Sequence, residues 1–174
     1  MDTLSVIRTC LDPLAGRRIL DVGCGTGQVA STLTSEGAQV TGIDLDPTAI
    51  NSARRLGPLA DFHIVCASQL PFAEGTFDAA VPVTALHHIP CGLMIKALQE
   101  GIRVLGLGGY LIVIEPLPKG SFFEAFRAIE GETVVRLRRK RQSVSLPGQN
   151  IWRRGRSNMS GANRSATSMH LSIE

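Results

Sequence analysis

Ile19-Leu20-Asp21-Val22-Gly23-Cys24-Gly25-Thr26-Gly27 carries an apolar, strand-like run straight into three glycines at alternate positions, and a helical stretch follows near 28–36. That order has a physical use. Glycine admits positive φ and lets a ligand approach the backbone, while the helix start offers free N–H groups and a positive dipole end to a carboxylate or phosphate. The next strand, Val40-Thr41-Gly42-Ile43, ends at Asp44, 21 residues after Gly23. A carboxylate at that place suits a ribose diol, whose two hydroxyls can donate to its two oxygens. Asp46 reads instead as the N-cap of the following helix, with Pro47 at the first helical position. A dinucleotide fingerprint would want glycine at the first, third and sixth positions, but the sixth position from Gly23 is Gln28. The pyrophosphate reading therefore loses ground.

Outward from this segment, short β-branched runs alternate with helical stretches, which predicts βαβ units and an α/β, doubly wound, mostly parallel sheet. Strands are expected near 18–22, 39–43, 62–65, 78–82 and 110–114, in the order 3-2-1-4-5. Helices are expected near 4–11, 28–36, 47–56 and 92–105, and a further one after Gly120, where Phe122, Phe126 and Ile129 share a face. In the helix at 92–105, Ile95, Leu98, Ile102 and Leu105 recur at helical steps and are expected to face the sheet.

With an apolar fraction of 44% over 174 residues, the chain can bury one real core. Its apolar runs are far shorter than the roughly 20 residues that cross a bilayer, and no basic start precedes an apolar run, so it reads as a cytosolic protein with no membrane partner. Cys10, Cys24, Cys66 and Cys91 form no Cys-x-x-Cys pair, and no metal site is expected. The charge is uneven. Residues 1–132 hold 9 Lys/Arg and 14 Asp/Glu, a net of −5, whereas residues 133–174 hold 9 Lys/Arg and Glu174 alone, a net of +8.

The motifs ILDVGCGTG (19–27), VTGIDLD (40–46), LPFAEGTFDAAV (70–81), ALHHI (85–89) and VLGLGGYLIVIEP (104–116) resemble, in order and spacing, the class I S-adenosylmethionine-dependent methyltransferases, especially those acting on small molecules. The resemblance covers roughly the first 116 residues. It implies S-adenosylmethionine as cofactor and a small-molecule methyl acceptor. Asp21 would orient the glycine loop and the cofactor's amino group, and Gly23, Cys24, Gly25 and Gly27 would wrap the methionine moiety. Asp44 would bind the ribose and Leu45 would pack on the adenine. Ala67 and Ser68 would line the adenine edge, and Val83 would lie near the sulfonium. Two positions depart from the family. Cys66 stands where an aspartate usually accepts from the adenine amino group, and a thiol is a poorer acceptor. Pro82 ends the fourth strand without an N–H, which a strand end tolerates.

His87 and His88, at the crevice where ligands of such sheets sit, are candidates for a general base or acceptor contact, or for a hydrogen-bonded pair that fixes the loop. Glu115, at the end of the fifth strand, is a third candidate for the crevice or a loop partner. The family usually ends on a helix and an antiparallel hairpin at the sheet edge, and no clear hairpin follows the fifth strand here. Residues 1–137 are therefore expected to form the cofactor-binding domain. Residues 138–174 are expected to be a basic tail: disordered, the product of a frame break or truncation, or, least favoured, a nucleic-acid binder. An unpaired fifth strand leaves a second reading open, a non-catalytic remnant that binds the cofactor weakly or not at all. The sequence is silent on oligomeric state.

Overall fold

The computed structural model describes residues 2–116, 132–138 and 168–171. Four α-helices, α1 (Thr3–Leu11), α2 (Gln28–Ser35), α3 (Pro47–Leu56) and α4 (Cys91–Arg103), are interleaved with five strands, β1 (Arg18–Val22), β2 (Gln39–Asp44), β3 (Asp61–Ile64), β4 (Phe77–Pro82) and β5 (Leu105–Pro116), with no α-helix between β3 and β4. The five strands pair in parallel in the order β3-β2-β1-β4-β5. Each turn from a strand back to a helix therefore falls at the carboxyl end of the sheet, which is where such sheets hold their ligands.

One core lies on each face of the sheet. On one, Ile19, Val81, Ile112 and Ile114 pack with Leu33 of α2, Ile50 of α3 and Ile7 of α1. On the other, Leu20, Ile43, Ala80 and Leu111 pack with Leu70, Phe77 and Leu105. Strands buried on both faces in this way read as continuous apolar runs, which is why β1 and β4 were plain in the sequence.

Capping fixes the helix starts. Asp2 accepts from the Ser5 amide at 2.9 Å, and Asp46 accepts from the Thr48 amide at 2.8 Å, with Pro47 following as expected. Gly27 opens α2 at φ +82°, and a Cβ there would come within 3.0 Å of the Ala53 Cα, so only glycine lets α2 start against α3.

Two expectations need correction. The helix read at 92–105 stops at Arg103, and Leu105 opens β5 beside Phe77. Gly106, Gly108 and Gly109 offer little helix propensity just beyond. Ile95, expected to face the sheet, is 55% exposed; Ala97 and Val104 are buried instead, with Leu98 and Ile102 half-buried beside them. α4 begins at the carboxyl end of the strands, so its first turn overhangs the sheet. Its later part is tied down by Glu100, which accepts from the Leu70 amide at 2.9 Å, and by Arg103, which donates to the carbonyls of Leu70 and Phe72.

The sheet also continues past β5, contrary to the expected bare edge. β6 (Glu132–Arg138) pairs antiparallel with β5 from Pro116–Glu132 to Tyr110–Arg138, and β7 (Ser168–Leu171) pairs in parallel with β6. The β7 residues lie in the segment read as a tail. A parallel pair cannot be closed by a hairpin turn, so the missing turn signal did not exclude these strands. In β6, Thr133, Val135 and Leu137 alternate with Glu132, Val134, Arg136 and Arg138, so that three of the four residues in the second set are charged, a strand pattern obscured by splitting the chain on charge. With β5 paired, the argument for a remnant with an open edge falls away. The helix expected after Gly120 lies outside the described residues.

Candidate cofactor site

Asp44 ends β2 with both carboxylate oxygens engaged by backbone. Oδ2 accepts from the Gly25 amide at 2.9 Å and Oδ1 from the Asp46 amide at 3.0 Å. The first bond ties the glycine loop to the second strand. Gly23 and Gly25 take φ of +72° and +52°. A Cβ on Gly23 would meet the Ala85 Cβ at 2.5 Å, whereas one on Gly25 would meet nothing within 4 Å. The loop is thus closed by packing at Gly23 and open at Gly25.

The opening leads into a cavity of about 670 Å³ at the carboxyl ends of the strands. Gly23 and Gly25 form one part of its wall, Asp44, Leu45 and Asp46 another, and Val65 to Ser68 a third. Thr84, Ala85, His88, Ile89, Pro90 and Leu93 form a fourth, and Val22, Ile43 and Ala49 also contribute. Leu45, 65% exposed, offers a bare apolar surface there.

Of the expected residues, the fold brings Gly23, Gly25, Asp44, Leu45, Ala67, Ser68 and His88 to this wall. Asp21, Cys24, Gly27, Val83, His87 and Glu115 lie behind it or beside it. Val83 bridges to Ile114, and Thr84 takes its place on the wall. Thr84 adopts φ +49°, rare for a non-glycine residue, while its amide donates to the Ile114 carbonyl at 2.7 Å. The sequence carried no signal for that turn beyond Pro82 ending the strand.

Cys24 packs towards Gly42 of β2, and burial, with the Asp21 and Asp44 charges adding to it, pushes its thiol up to about 12. It stays a neutral packing group. Cys66 is different. Its Sγ lies 3.1 Å from Ser68 Oγ, and hydrogen bonds from Ser68, helped by the charge of Lys96, hold the thiol below its usual range.

Asp21 is 1% exposed, and its Oδ2 has no hydrogen-bond partner among the described residues. Burial pushes its carboxyl up to about 7, against the amide of Ala30, which lowers it; Asp44 adds to the rise. The folded chain thus keeps a proton that the unfolded chain loses near 3.8. Stability therefore falls as pH climbs between those two values, and the loss is complete above the higher one.

Beside the cavity, Glu115 is 5% exposed. Its Oε1 accepts from the amides of Ala85 and Leu86 at 2.8 and 2.7 Å, and its Oε2 lies 2.7 Å from His87 Nδ1. His87 in turn packs against His88, with ring centroids 3.9 Å apart and the rings tilted by 42°. One buried carboxylate thus fixes the loop and the inner histidine, and places the outer histidine on the cavity wall. Among the described residues, no group of three His, Cys, Asp or Glu side chains could hold a metal ion, and no helix is long and apolar enough to cross a membrane.

The methyltransferase domain family matches residues 20–113, from β1 through most of β5. The chain belongs to that family. The resemblance to class I S-adenosylmethionine-dependent methyltransferases read from the motifs therefore holds over the region that builds the cavity. This methyltransferase domain is 40% identical over 132 residues to a ubiquinone biosynthesis O-methyltransferase of Thiobacillus denitrificans, covering 63% of this chain and 57% of the relative. It is 38% identical over 118 residues to a fatty-acid O-methyltransferase of Mycolicibacterium smegmatis, covering 66% and 42%. The chain spans about half the length of the curated relatives it matches. Among solved structures, a TehB-like S-adenosylmethionine-dependent methyltransferase of Corynebacterium glutamicum superposes with a TM-score of 0.63 at 28% identity, covering 71% of this chain and 66% of that one. The [4+2]-cyclase SpnF does so with a TM-score of 0.58 at 34% identity, covering 64% and 43%.

Proposed function

We propose that the methyltransferase domain binds S-adenosylmethionine in the cavity at the carboxyl ends of β1, β2 and β4 and transfers its methyl group to a small-molecule acceptor in the cytosol. The observation that carries this reading is Asp44, a carboxylate on the cavity wall whose oxygens are held in place by the Gly25 and Asp46 amides. The residues present fit the group: an anionic wall for a diol, an apolar surface at Leu45 for a flat ring, and a glycine loop open at Gly25. Bound S-adenosylmethionine supplies an activated methyl group on a sulfonium.

In this reading Asp44 accepts from the ribose hydroxyls. Leu45 lies against the adenine, and Ala67 and Ser68 edge it. Gly23 and Gly25, backed by Ala85, enclose the methionine moiety, with Asp21 and Gly27 shaping the loop from behind. Such a reaction asks the protein chiefly to orient the acceptor and exclude water. Where the acceptor must lose a proton, the base sits in the His87–His88 pair: Glu115 holds Nδ1 of His87 and His88 meets the cavity.

The test is transfer of labelled methyl from S-adenosylmethionine to a panel of quinols, phenols, amines and carboxylates. Label in a small product is expected. Cofactor binding with no transfer to any acceptor would favour a binding-only or rearranging role, as the likeness to a cyclase illustrates. No binding would overturn the reading.

The Cys66–Ser68 pair gives a further expectation. Cys66→Asp should tighten S-adenosylhomocysteine binding by about 10-fold, because a carboxylate accepts more strongly from the adenine amino group than a thiol does. Weaker binding in the folded variant, measured by calorimetry, would show that the adenine lies elsewhere.

A further inference from the structure

Asp21 pairs with Gly42 on one side and Val81 on the other, in the central strand of the parallel sheet. Among the described residues, the groups set against its carboxyl are the Asp44 carboxylate at the end of β2, the Cys24 thiol in the glycine loop and the Ala30 amide of α2. None is a cation. Its Oδ2 has no hydrogen-bond partner among the described residues, yet the next residues along, Val22 and Gly23, already line the cavity. A buried carboxyl in such company is more stable neutral, because desolvation and a neighbouring carboxylate both penalise the anion. A permanent positive charge brought to the glycine loop reverses that balance.

We infer that Asp21 is protonated in the free chain and releases that proton to solvent when S-adenosylmethionine, a sulfonium cation, fills the cavity, so that cofactor capture is coupled to proton release. The Oδ–H bond breaks, its electron pair stays on the carboxylate, and the buffer takes the proton. The carboxyl, pushed up to about 7, has both forms within reach at neutral pH, where such coupling has most effect. The inference rests on the cofactor reading above. It adds that affinity climbs as pH rises towards neutrality and levels off once Asp21 is already ionised in the free chain.

The experiment is calorimetric titration of the full chain with S-adenosylmethionine at one pH in two buffers of unlike ionisation enthalpy. The difference in heat counts protons exchanged. Release of about half a proton near pH 7 is expected, falling towards none near pH 9. Asp21→Asn should bind without release, whereas His88→Gln, which alters the histidine on the cavity wall, should still release. Equal heats in both buffers would overturn the proposal, as would release that survives in Asp21→Asn or disappears in His88→Gln. Should Asp21→Asn fail to fold, the unaltered chain decides: release that does not decline between pH 7 and 9 overturns the proposal. Absence of any saturable binding would instead overturn the cofactor reading, and the coupling with it.

Discussion

Asp44→Ala is expected to weaken binding of S-adenosylhomocysteine by about 10- to 100-fold, since hydrogen bonds to a charged group contribute roughly 1.5–3 kcal/mol. The site explains why the effect should be large. Asp44 is held from behind by the Gly25 and Asp46 amides, so its geometry towards the cavity is set before any ligand arrives. Alanine removes the acceptor for the diol and also frees the Gly25 amide, loosening the loop at its open glycine. Asp44→Asn separates the two contributions, because it keeps one acceptor oxygen while losing the charge. Calorimetry on a variant with an unchanged circular dichroism spectrum is the check. Affinity equal to that of the unaltered chain would contradict the ribose assignment.

Glu115→Ala is expected to have the larger effect on stability, about 3 kcal/mol. The carboxylate accepts from the buried amides of Ala85 and Leu86 and is paired with His87. Removing it leaves two buried donors without partners, each costing about 1–3 kcal/mol, partly offset where water enters the gap. For a chain of this length that corresponds to a fall in melting temperature of roughly 6–12 °C. Glu115→Gln keeps an acceptor for the amides and should lose much less. The loop it fixes carries Ala85 and His88 on the cavity wall, so cofactor affinity should fall together with stability. Thermal unfolding that leaves the alanine variant within a degree of the parent would show that the loop holds itself without Glu115.

These two residues also mark how far the sequence could be read. Asp44 was legible because its place depends on two local signals, an apolar strand and the spacing from the glycine turn, and parallel strands buried on both faces print themselves as continuous apolar runs. Glu115 was visible only as a polar residue at a strand end. Its partners lie 28 to 30 positions away, and nothing in spacing announces a contact that only the pairing of β4 with β5 creates. Ile95 shows the converse: its periodicity was helical, but the pattern does not say where a helix overhangs the sheet. Thr84 was missed because a left-handed threonine has no sequence signature comparable to glycine. β6 had its alternation in plain view, yet the change in charge balance drew the boundary through it.

The most direct measurement of the central claim is a crystal structure of the chain grown with S-adenosylhomocysteine. The account predicts the ligand in the cavity at the carboxyl ends of β1, β2 and β4, with both ribose hydroxyls within hydrogen-bond reach of Asp44, the adenine against Leu45, and the amino-acid end beside Gly23 and Gly25. Ligand bound at another place, or in this cavity with its ribose turned away from Asp44, would contradict it.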